Sequence, residues 1–290
     1  MDTGEGYPPF VGARRGGDRR VSAQATPGER KGAVSALVNG GFVAPEAEAD
    51  ALLAASREGV GSIDALLARR LEGEPLAWIT GSVTFCGVRV LVDPGVFVPR
   101  PHTEALALRA VELLPPDGLA IDLCTGTGAV AMVLGSAHPR AVVVGTDVDP
   151  VAVVCARKNG IRAFEGDLDG PLPPELRGRV DLLTAVVPYV PTEELTFLPR
   201  DVRAHEPRHA LDGGPRGTTE LVRAAEVAVR WLRPGGTGLL ELGGDQAAEM
   251  TATMRELGFT DIRVHADEDG HDRAIECRLG PLPPATVGEG

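Results

Sequence analysis

Leu119-Ala-Ile-Asp-Leu-Cys-Thr-Gly-Thr-Gly-Ala129 is the stretch on which the fold of this chain turns. Leu119 to Leu123 is an apolar run of strand length, and it empties through Cys124-Thr-Gly-Thr-Gly128 into a helical period that begins near Ala129. In an open α/β sheet such a junction is the ligand end, because the helix start presents free backbone N–H groups. Gly126 and Gly128 lack side chains and let a ligand approach that backbone, with Thr125 and Thr127 alongside.

Outward from this junction the alternation continues. Ala141 to Asp147, Ile161 to Glu165, Val180 to Val186 and Thr237 to Leu242 are further short apolar runs, separated by helical stretches at Ala129 to Ser136, Pro150 to Asn159 and Gly217 to Leu232. The pattern predicts a mostly parallel sheet with helices on both faces. Asp261 to His265 and Arg273 to Leu279 straddle the turn-rich Asp267-Glu-Asp-Gly270 and predict a terminal antiparallel hairpin at the sheet edge.

Three acids stand at successive strand ends. Asp122 lies at the end of the first, ahead of the glycines, and Asp147 closes the second, where a carboxylate accepts both ribose hydroxyls. Asp167, beside Leu168, follows the third and suits an exocyclic amine. Gly126-x-Gly128-x-x-Ala131 also fits a dinucleotide fingerprint, so an NAD-dependent dehydrogenase is the competing reading. Asp122 argues against it, since a carboxylate there repels a pyrophosphate but pairs with an α-ammonium group. Together the acids complement an amino-acid portion, a ribose and an adenine, and the terminal hairpin is a methyltransferase feature. The ligand that fits is S-adenosylmethionine, with no metal.

The rest of the chain frames this core. With 290 residues, 43% hydrophobic and 24% charged, there is room for about two domains and a packed interior. Residues 1–28 carry Gly, Pro and the cluster Arg14, Arg15, Arg19 and Arg20 with few aliphatic side chains, and predict a disordered tail. Residues 29–82 show short helical periods, with stripes at Val34, Leu37 and Val38, at Ala51 to Leu53, and at Ile63, Leu66, Leu67 and Leu71. Ser62 is a predicted N-cap and Pro45 a first-turn residue, giving a bundle of about three helices for docking or substrate recognition. Thr84 to Val92 reads as a small hairpin opening the catalytic domain, 83–280, and residues 281–290 as a flexible C-terminal tail.

A net charge of −12 opposes a protein that tracks a phosphate backbone, so no direct nucleic-acid binding is expected. Cys86, Cys124, Cys155 and Cys277 form no CxxC pair and read as reduced thiols. No apolar stretch reaches the ~18 to 20 residues that cross a bilayer, so no membrane partner is expected and a cytoplasmic location is.

Several further segments complete a pattern. Gly73-Glu-Pro-Leu-Ala-Trp-Ile-Thr-Gly81, Phe97-Val-Pro-Arg-Pro-His-Thr-Glu104, Glu206-Pro-Arg208, Leu211-Asp-Gly-Gly214 and Leu232-Arg-Pro-Gly-Gly236 join the loop Asp122 to Gly128. Taken together they resemble the HemK-type protein-(glutamine N5) methyltransferases that modify peptide-chain release factors, over roughly residues 30 to 280. The resemblance implies an α/β class I methyltransferase with a Rossmann-like sheet of order 3-2-1-4-5-7-6 and a helical N-terminal domain that helps recognise a protein substrate such as a release factor. It implies that Asp147 holds the ribose and Asp167 the adenine amine, with the Leu168 backbone beside it. Cys124, Thr125, Gly126, Thr127 and Gly128 line the methionine portion, with Asp122 before them. Two departures stand out: Cys124 replaces the loop's first glycine, where left-handed geometry costs ~1 kcal/mol or more, and His102 replaces a glutamate.

A larger departure lies after the fourth strand. The family has Asn-Pro-Pro-Tyr, whose asparagine side chain and first proline carbonyl accept the two hydrogens of the target amide; here the residues are Val186, Val187, Pro188 and Tyr189. An amide nitrogen is a poor nucleophile, and gripping both N–H groups aims it at the methyl. Losing one acceptor costs ~1 to 3 kcal/mol, felt as ~10 to 200-fold in rate or affinity. The Val187 carbonyl, the Pro188 turn and the Tyr189 ring survive, with Phe97 and Arg100 as rim residues and His102 and His205 available by type as bases. The expectation is an S-adenosylmethionine-dependent methyltransferase resembling the release-factor enzymes, with an altered acceptor. A small-molecule methyltransferase and a non-catalytic cofactor-binding module that docks on a protein partner stay open beside it.

Overall fold

The structure is a computed structural model that describes residues 27–281. Both predicted tails fall almost wholly outside the described residues, except that Pro27 and Gly28 open the first helix. Helices α1 (Pro27–Asn39), α2 (Pro45–Arg57), α3 (Ile63–Leu71) and α4 (Leu76–Thr80) come first. Pro45 begins α2 in the first turn, and the Ser62 hydroxyl accepts the Ala65 N–H to cap α3. Leu37, Leu52, Leu66 and Ile79 are buried together as the core of this bundle. Val38 and Leu71, from the predicted stripes, face outward instead, because so small a bundle covers only part of each apolar face. The short fourth helix was not expected; Pro75 precedes it, Gly81 ends it at φ 74°, and it carries Trp78 and Ile79 inward.

Strands β1 (Ser82–Phe85) and β2 (Val88–Leu91) form the small hairpin. Its turn residues, Cys86 and Gly87, both take positive φ, the geometry that matches strand twist. Then follow α5 (Thr103–Leu113), β3 (Leu119–Leu123), α6 (Ala129–Ala137), β4 (Val142–Asp147), α7 (Pro150–Lys158), β5 (Arg162–Glu165), β6 (Val180–Ala185), α8 (Arg200–His205), α9 (Thr219–Trp231), β7 (Leu232–Glu241), α10 (Ala247–Glu256), β8 (Phe259–Ala266) and β9 (Asp272–Leu279).

The large sheet has seven strands in the order β5-β4-β3-β6-β7-β9-β8. The pairs β3 with β4, β3 with β6, β4 with β5 and β6 with β7 are parallel; β9 runs antiparallel to both neighbours. This is the class I methyltransferase order, 3-2-1-4-5-7-6. The terminal hairpin does not simply extend the edge. β9 inserts beside β7 and leaves β8 outermost, because Ala274 to Cys277 are buried while most of β8 is not. β6 stops one residue before the predicted Val186, and β7 starts earlier than Thr237, running through Pro234-Gly235-Gly236.

One face of the sheet is covered by the packing of Leu183, Trp231, Leu240, Met250 and Ile275, the other by Ala110, Leu134, Leu182 and Leu239. Truncating one such fully buried leucine to alanine costs about 2 to 5 kcal/mol. Because β4 and β6 lie on opposite sides of β3, the chain reverses direction across the sheet there, and a crevice opens beyond the carboxyl ends of these strands.

Candidate active site

The loop between β3 and α6 occupies that crevice. Cys124 (φ 52°), Gly126 (φ 55°) and Gly128 (φ 82°) are all left-handed, so the chain coils tightly and delivers α6 with its N-terminus toward the opening. Cys124 adopts the strained geometry expected of it, and Leu168, buried after β5, does the same at φ 44°. Gly128 cannot be larger: an added Cβ would lie 2.8 Å from the Ile161 side chain. At Gly126 the same Cβ would meet nothing within 4 Å.

Two carboxylates hold the loop. Asp122 is buried, and its oxygens accept the hydroxyls of Thr125 at 2.6 Å and Thr184 at 2.7 Å. Burial pushes its pKa up to about 6, against the pull of those two hydroxyls. Asp147 accepts the Gly126 N–H at 2.8 Å and the Asp149 N–H at 3.0 Å, and burial raises it as well. Gly145, in β4, leaves the room that the Thr125 side chain fills. Asp167 stands apart, more than half exposed, with its carboxylate 2.6 Å from the Arg223 guanidinium.

A small cleft lies against this loop, lined by Asp122, Cys124, Thr125, Gly126, Thr127, Ala129 and Val130 and, across from them, by Phe85, Phe97, Pro99, Arg100, Thr103 and Val186. Of the residues singled out by sequence, the structure therefore gathers Val186, Asp122 and Cys124 to Thr127 around one space. Asp147 and Gly128 support the loop outside that lining. Val187, Pro188 and Tyr189 do not line the cleft. Val187 is buried in the core of one sheet face, and Val186 packs toward the other, as alternation beyond a strand end requires.

Tyr189 is the anchored end of this second loop. Its carbonyl accepts the Gln246 amide at 2.8 Å, and that same amide group accepts the Gly243 N–H at 2.9 Å. The ring lies where a Cβ on Gly243 would have to be, and a Cβ on Gly217 would strike the Tyr189 carbonyl. The hydroxyl stands 3.2 Å from His102 Nε2, which is 3.4 Å from Glu241 Oε1. Burial and the Glu241 charge raise the phenol above its ordinary range.

Arg100 makes two 2.8 Å contacts with the Glu206 carboxylate and stacks on Phe97, 4.6 Å from the ring centre. Glu206 is buried and raised by that burial, with Arg100 pulling it back. Thus the segments Phe97 to Glu104 and Glu206 to Arg208, distant in sequence, meet as one ion pair. His205 packs edge-on against Trp78, with ring centres 6.2 Å apart. Sequence reasoning passed over Thr103, Glu241 and Gln246. Thr103 lines the cleft with a buried hydroxyl that has no hydrogen-bond partner among the described residues, and nothing in its local pattern marks it.

A second, open groove runs from Ala51, Ala54 and Arg70 of the helical bundle past Thr84 to Pro99 and Arg100, which it shares with the first cleft.

No family model matches the chain. A release factor glutamine methyltransferase of Geobacter sulfurreducens is 37% identical over 221 residues, covering 74% of this chain and 77% of that protein. One from Mycobacterium tuberculosis strain H37Rv is 36% identical over 230 residues, 75% of either chain. The chain belongs to the release factor glutamine methyltransferase family. A solved methyltransferase from Pyrococcus furiosus, 20% identical, matches with a TM-score of 0.51 over 74% of this chain and 98% of that one, a likeness of fold. Membership makes this chain a methyltransferase with S-adenosylmethionine as its cofactor, and the dinucleotide reading falls away. Among the described residues, no helix of this methyltransferase is long and apolar enough to cross a membrane.

Proposed function

We propose that this methyltransferase modifies a protein, as the names of its relatives say of release factors, and that its acceptor nucleophile is not a primary carboxamide. Val186 carries this reading. It lines the cleft among Phe85, Phe97, Pro99 and Val130, and its side chain brings no hydrogen-bond acceptor to the place where the family has an asparagine. A carboxamide entering there leaves an N–H facing a hydrocarbon side chain, at ~1 to 3 kcal/mol.

The cleft suits the cofactor by its own chemistry. Asp122 presents negative charge to an α-ammonium group, using lone pairs that the Thr125 and Thr184 hydroxyls do not occupy. The orphaned Thr103 hydroxyl offers a further polar partner, and the missing Cβ of Gly126 leaves a cradle at the mouth of the loop. Asp147 faces the same loop from β4 and suits ribose hydroxyls; Asp167 suits the adenine amine once it turns from Arg223. Bound here, S-adenosylmethionine would supply a sulfonium methyl to the acceptor nucleophile, the new bond to the methyl carbon forming as its bond to sulfur breaks and S-adenosylhomocysteine leaves as the neutral thioether. Val186, Phe97 and Pro99 keep water from that space, and Pro188 and Tyr189 hold the backbone that aims the acceptor.

The helical residues 29–82 form a separate recognition domain on this reading, and residues 83–280 the catalytic one. The groove between them, lined from Ala51 and Arg70 to Pro99 and Arg100, is the proposed path of the protein substrate. The cytoplasm, where release factors work, is the proposed location.

The test is methyl-labelled S-adenosylmethionine with a glutamine-containing release-factor peptide and, separately, a cell lysate. Label is expected in a discrete protein of the lysate, with transfer to the peptide glutamine at least about tenfold slower than in Val186→Asn. Efficient glutamine methylation that Val186→Asn does not improve overturns the altered acceptor; firm cofactor binding with no transfer anywhere overturns the enzyme reading.

A further inference from the structure

We propose that Asn159 is a positioning residue for cofactor binding: its side-chain amide fastens the two walls of the cleft to each other from behind and sets the gap between them. The inference rests on the reading of the loop after β3 as the seat of S-adenosylmethionine.

The walls come from different parts of the chain. One is the loop after β3 with the start of α6; the other is carried by the β1–β2 hairpin and the segment that follows it, which bring Phe85, Phe97, Pro99 and Arg100 to face the loop. No strand pairing joins them, since the hairpin is a two-stranded sheet apart from the seven-stranded one. Phe85 and Val90 share a buried cluster with Val130 and Val133, but such apolar contact is non-directional and does not by itself fix a spacing.

Asn159 supplies the direction. It stands at the C-terminal end of α7 and is 8% exposed. Its Oδ1 accepts the Leu91 N–H at 2.9 Å, and its Nδ2 donates to the Leu91 carbonyl at 2.9 Å and to the Thr127 carbonyl at 2.8 Å. Leu91 ends β2 and Thr127 belongs to the loop, so one planar amide spans both walls, although Asn159 itself does not line the cleft. The rest of α7 supports one side only. Cys155 directs its thiol at the Leu91 carbonyl at 3.4 Å, Lys158 pairs with Asp93 at 2.6 Å, and Ala152 and Cys155 pack on Val96. None of those three contacts involves Thr127.

Two carbonyl oxygens drawn to one NH2 group stay there only while it supplies two hydrogens. A carboxylate of the same shape supplies none and repels both. Asn159→Asp therefore keeps the volume and the bond from the Leu91 N–H, but drives the Leu91 and Thr127 carbonyls apart. A cofactor that touches both walls at once then loses contacts on one of them, since binding of this kind depends on a spacing held to a fraction of an ångström.

Full-length Asn159→Asp is expected to weaken S-adenosylmethionine binding at least about tenfold, read by calorimetry well below its Tm. Cys155→Ala is the control for mere support: it loosens the same helix against the same segment, lowers Tm, and leaves Kd within about twofold. The wild-type protein decides the matter if Asn159→Asp fails to fold. There S-adenosylmethionine is expected to slow hydrogen exchange several-fold at the Leu91 amide, which is outside the cleft lining and bonded to the Asn159 side chain. A Kd in Asn159→Asp no weaker than in Cys155→Ala, or a Leu91 amide indifferent to the cofactor, overturns the proposal. The 15N signals of Gly126 and Gly128 tell that failure from failure of the underlying reading. If they move on addition of S-adenosylmethionine, the loop is the seat and only the role of Asn159 falls; if they stay still, the loop is not the seat and both fall.

Discussion

The loop after β3 and the loop after β6 sit side by side at the mouth of the sheet, and they are held in opposite ways. The first is pinned by its own neighbourhood: Asp122 and Asp147 bind its hydroxyl and amide groups, and three left-handed residues set its path. The second has no such local scaffold. Its Tyr189 end is kept by Gln246, Gly217, Gly243 and His102, all from elsewhere in the chain. The lesson is that the loop proposed for the donor is pinned chiefly by elements close to it, whereas the loop proposed for the acceptor depends on packing by elements far away in sequence.

The strongest test of the contrast is Gly128→Val. It combines a left-handed backbone with a Cβ that meets Ile161 at 2.8 Å, so a loss of about 3 kcal/mol is expected, read as a fall in Tm of roughly 10 °C. S-adenosylmethionine binding, followed by calorimetry at low temperature, is lost with it.

Gly243→Ala strikes the other loop alone. The new methyl displaces the Tyr189 ring, and a misplacement near 1 Å costs about 100-fold in methyl transfer. Cofactor Kd is expected to hold within about threefold, since the atoms nearest the added Cβ all belong to the Tyr189 ring. Equal damage to binding and transfer would erase the distinction between the halves.

Next is pH. Asp122 titrates near 6 in the folded protein, and its protonated form cannot pair with an ammonium group. Cofactor affinity therefore falls as pH drops through 6, by about tenfold between pH 8 and pH 5, where roughly a tenth of the carboxyl remains ionised. The stability of the free protein runs the other way: the raised pKa means that the folded state holds this proton more tightly, so Asp122 weakens the fold as pH rises from about 4 toward 6. Asp122→Asn is expected to flatten the affinity profile in isothermal titration. A profile unchanged by that substitution would take Asp122 out of the donor half.

The smallest effect is expected from Arg223→Ala, which frees Asp167 from an exposed ion pair. Stability should move by less than about 0.5 kcal/mol and cofactor affinity by less than about twofold, measured by thermal melting and titration. A larger gain in affinity would mean that Arg223 competes with the adenine for Asp167.

Much of this was legible from local pattern. The strand at Leu119 to Leu123 has its predicted bounds, and the left-handed turn at Cys124 was foreseen because the family has glycine there. The insertion of β9 beside β7 was not read from the residues themselves; it depends on which of two short strands buries more apolar surface. Asp122 was read as a bare ligand for an ammonium group, yet it is also the tie that closes the loop through Thr184, 62 residues away. The Tyr189 ring, read from the sequence as a survivor of the family's motif, packs against Gly243, a contact that no local pattern announces.

By itself the sequence determined the alternation of strands and helices, the glycine loop, the acids at strand ends and the valine where an amide acceptor would stand, since each is a matter of residue type and short-range periodicity. Tertiary structure alone decided that Arg100 answers Glu206, that His102 lies between Tyr189 and Glu241, and that Thr103 keeps an unpaired hydroxyl in the cleft. Those pairings join groups tens to more than a hundred residues apart, and only the packing of whole elements against the sheet sets the distances on which hydrogen bonds and charges act.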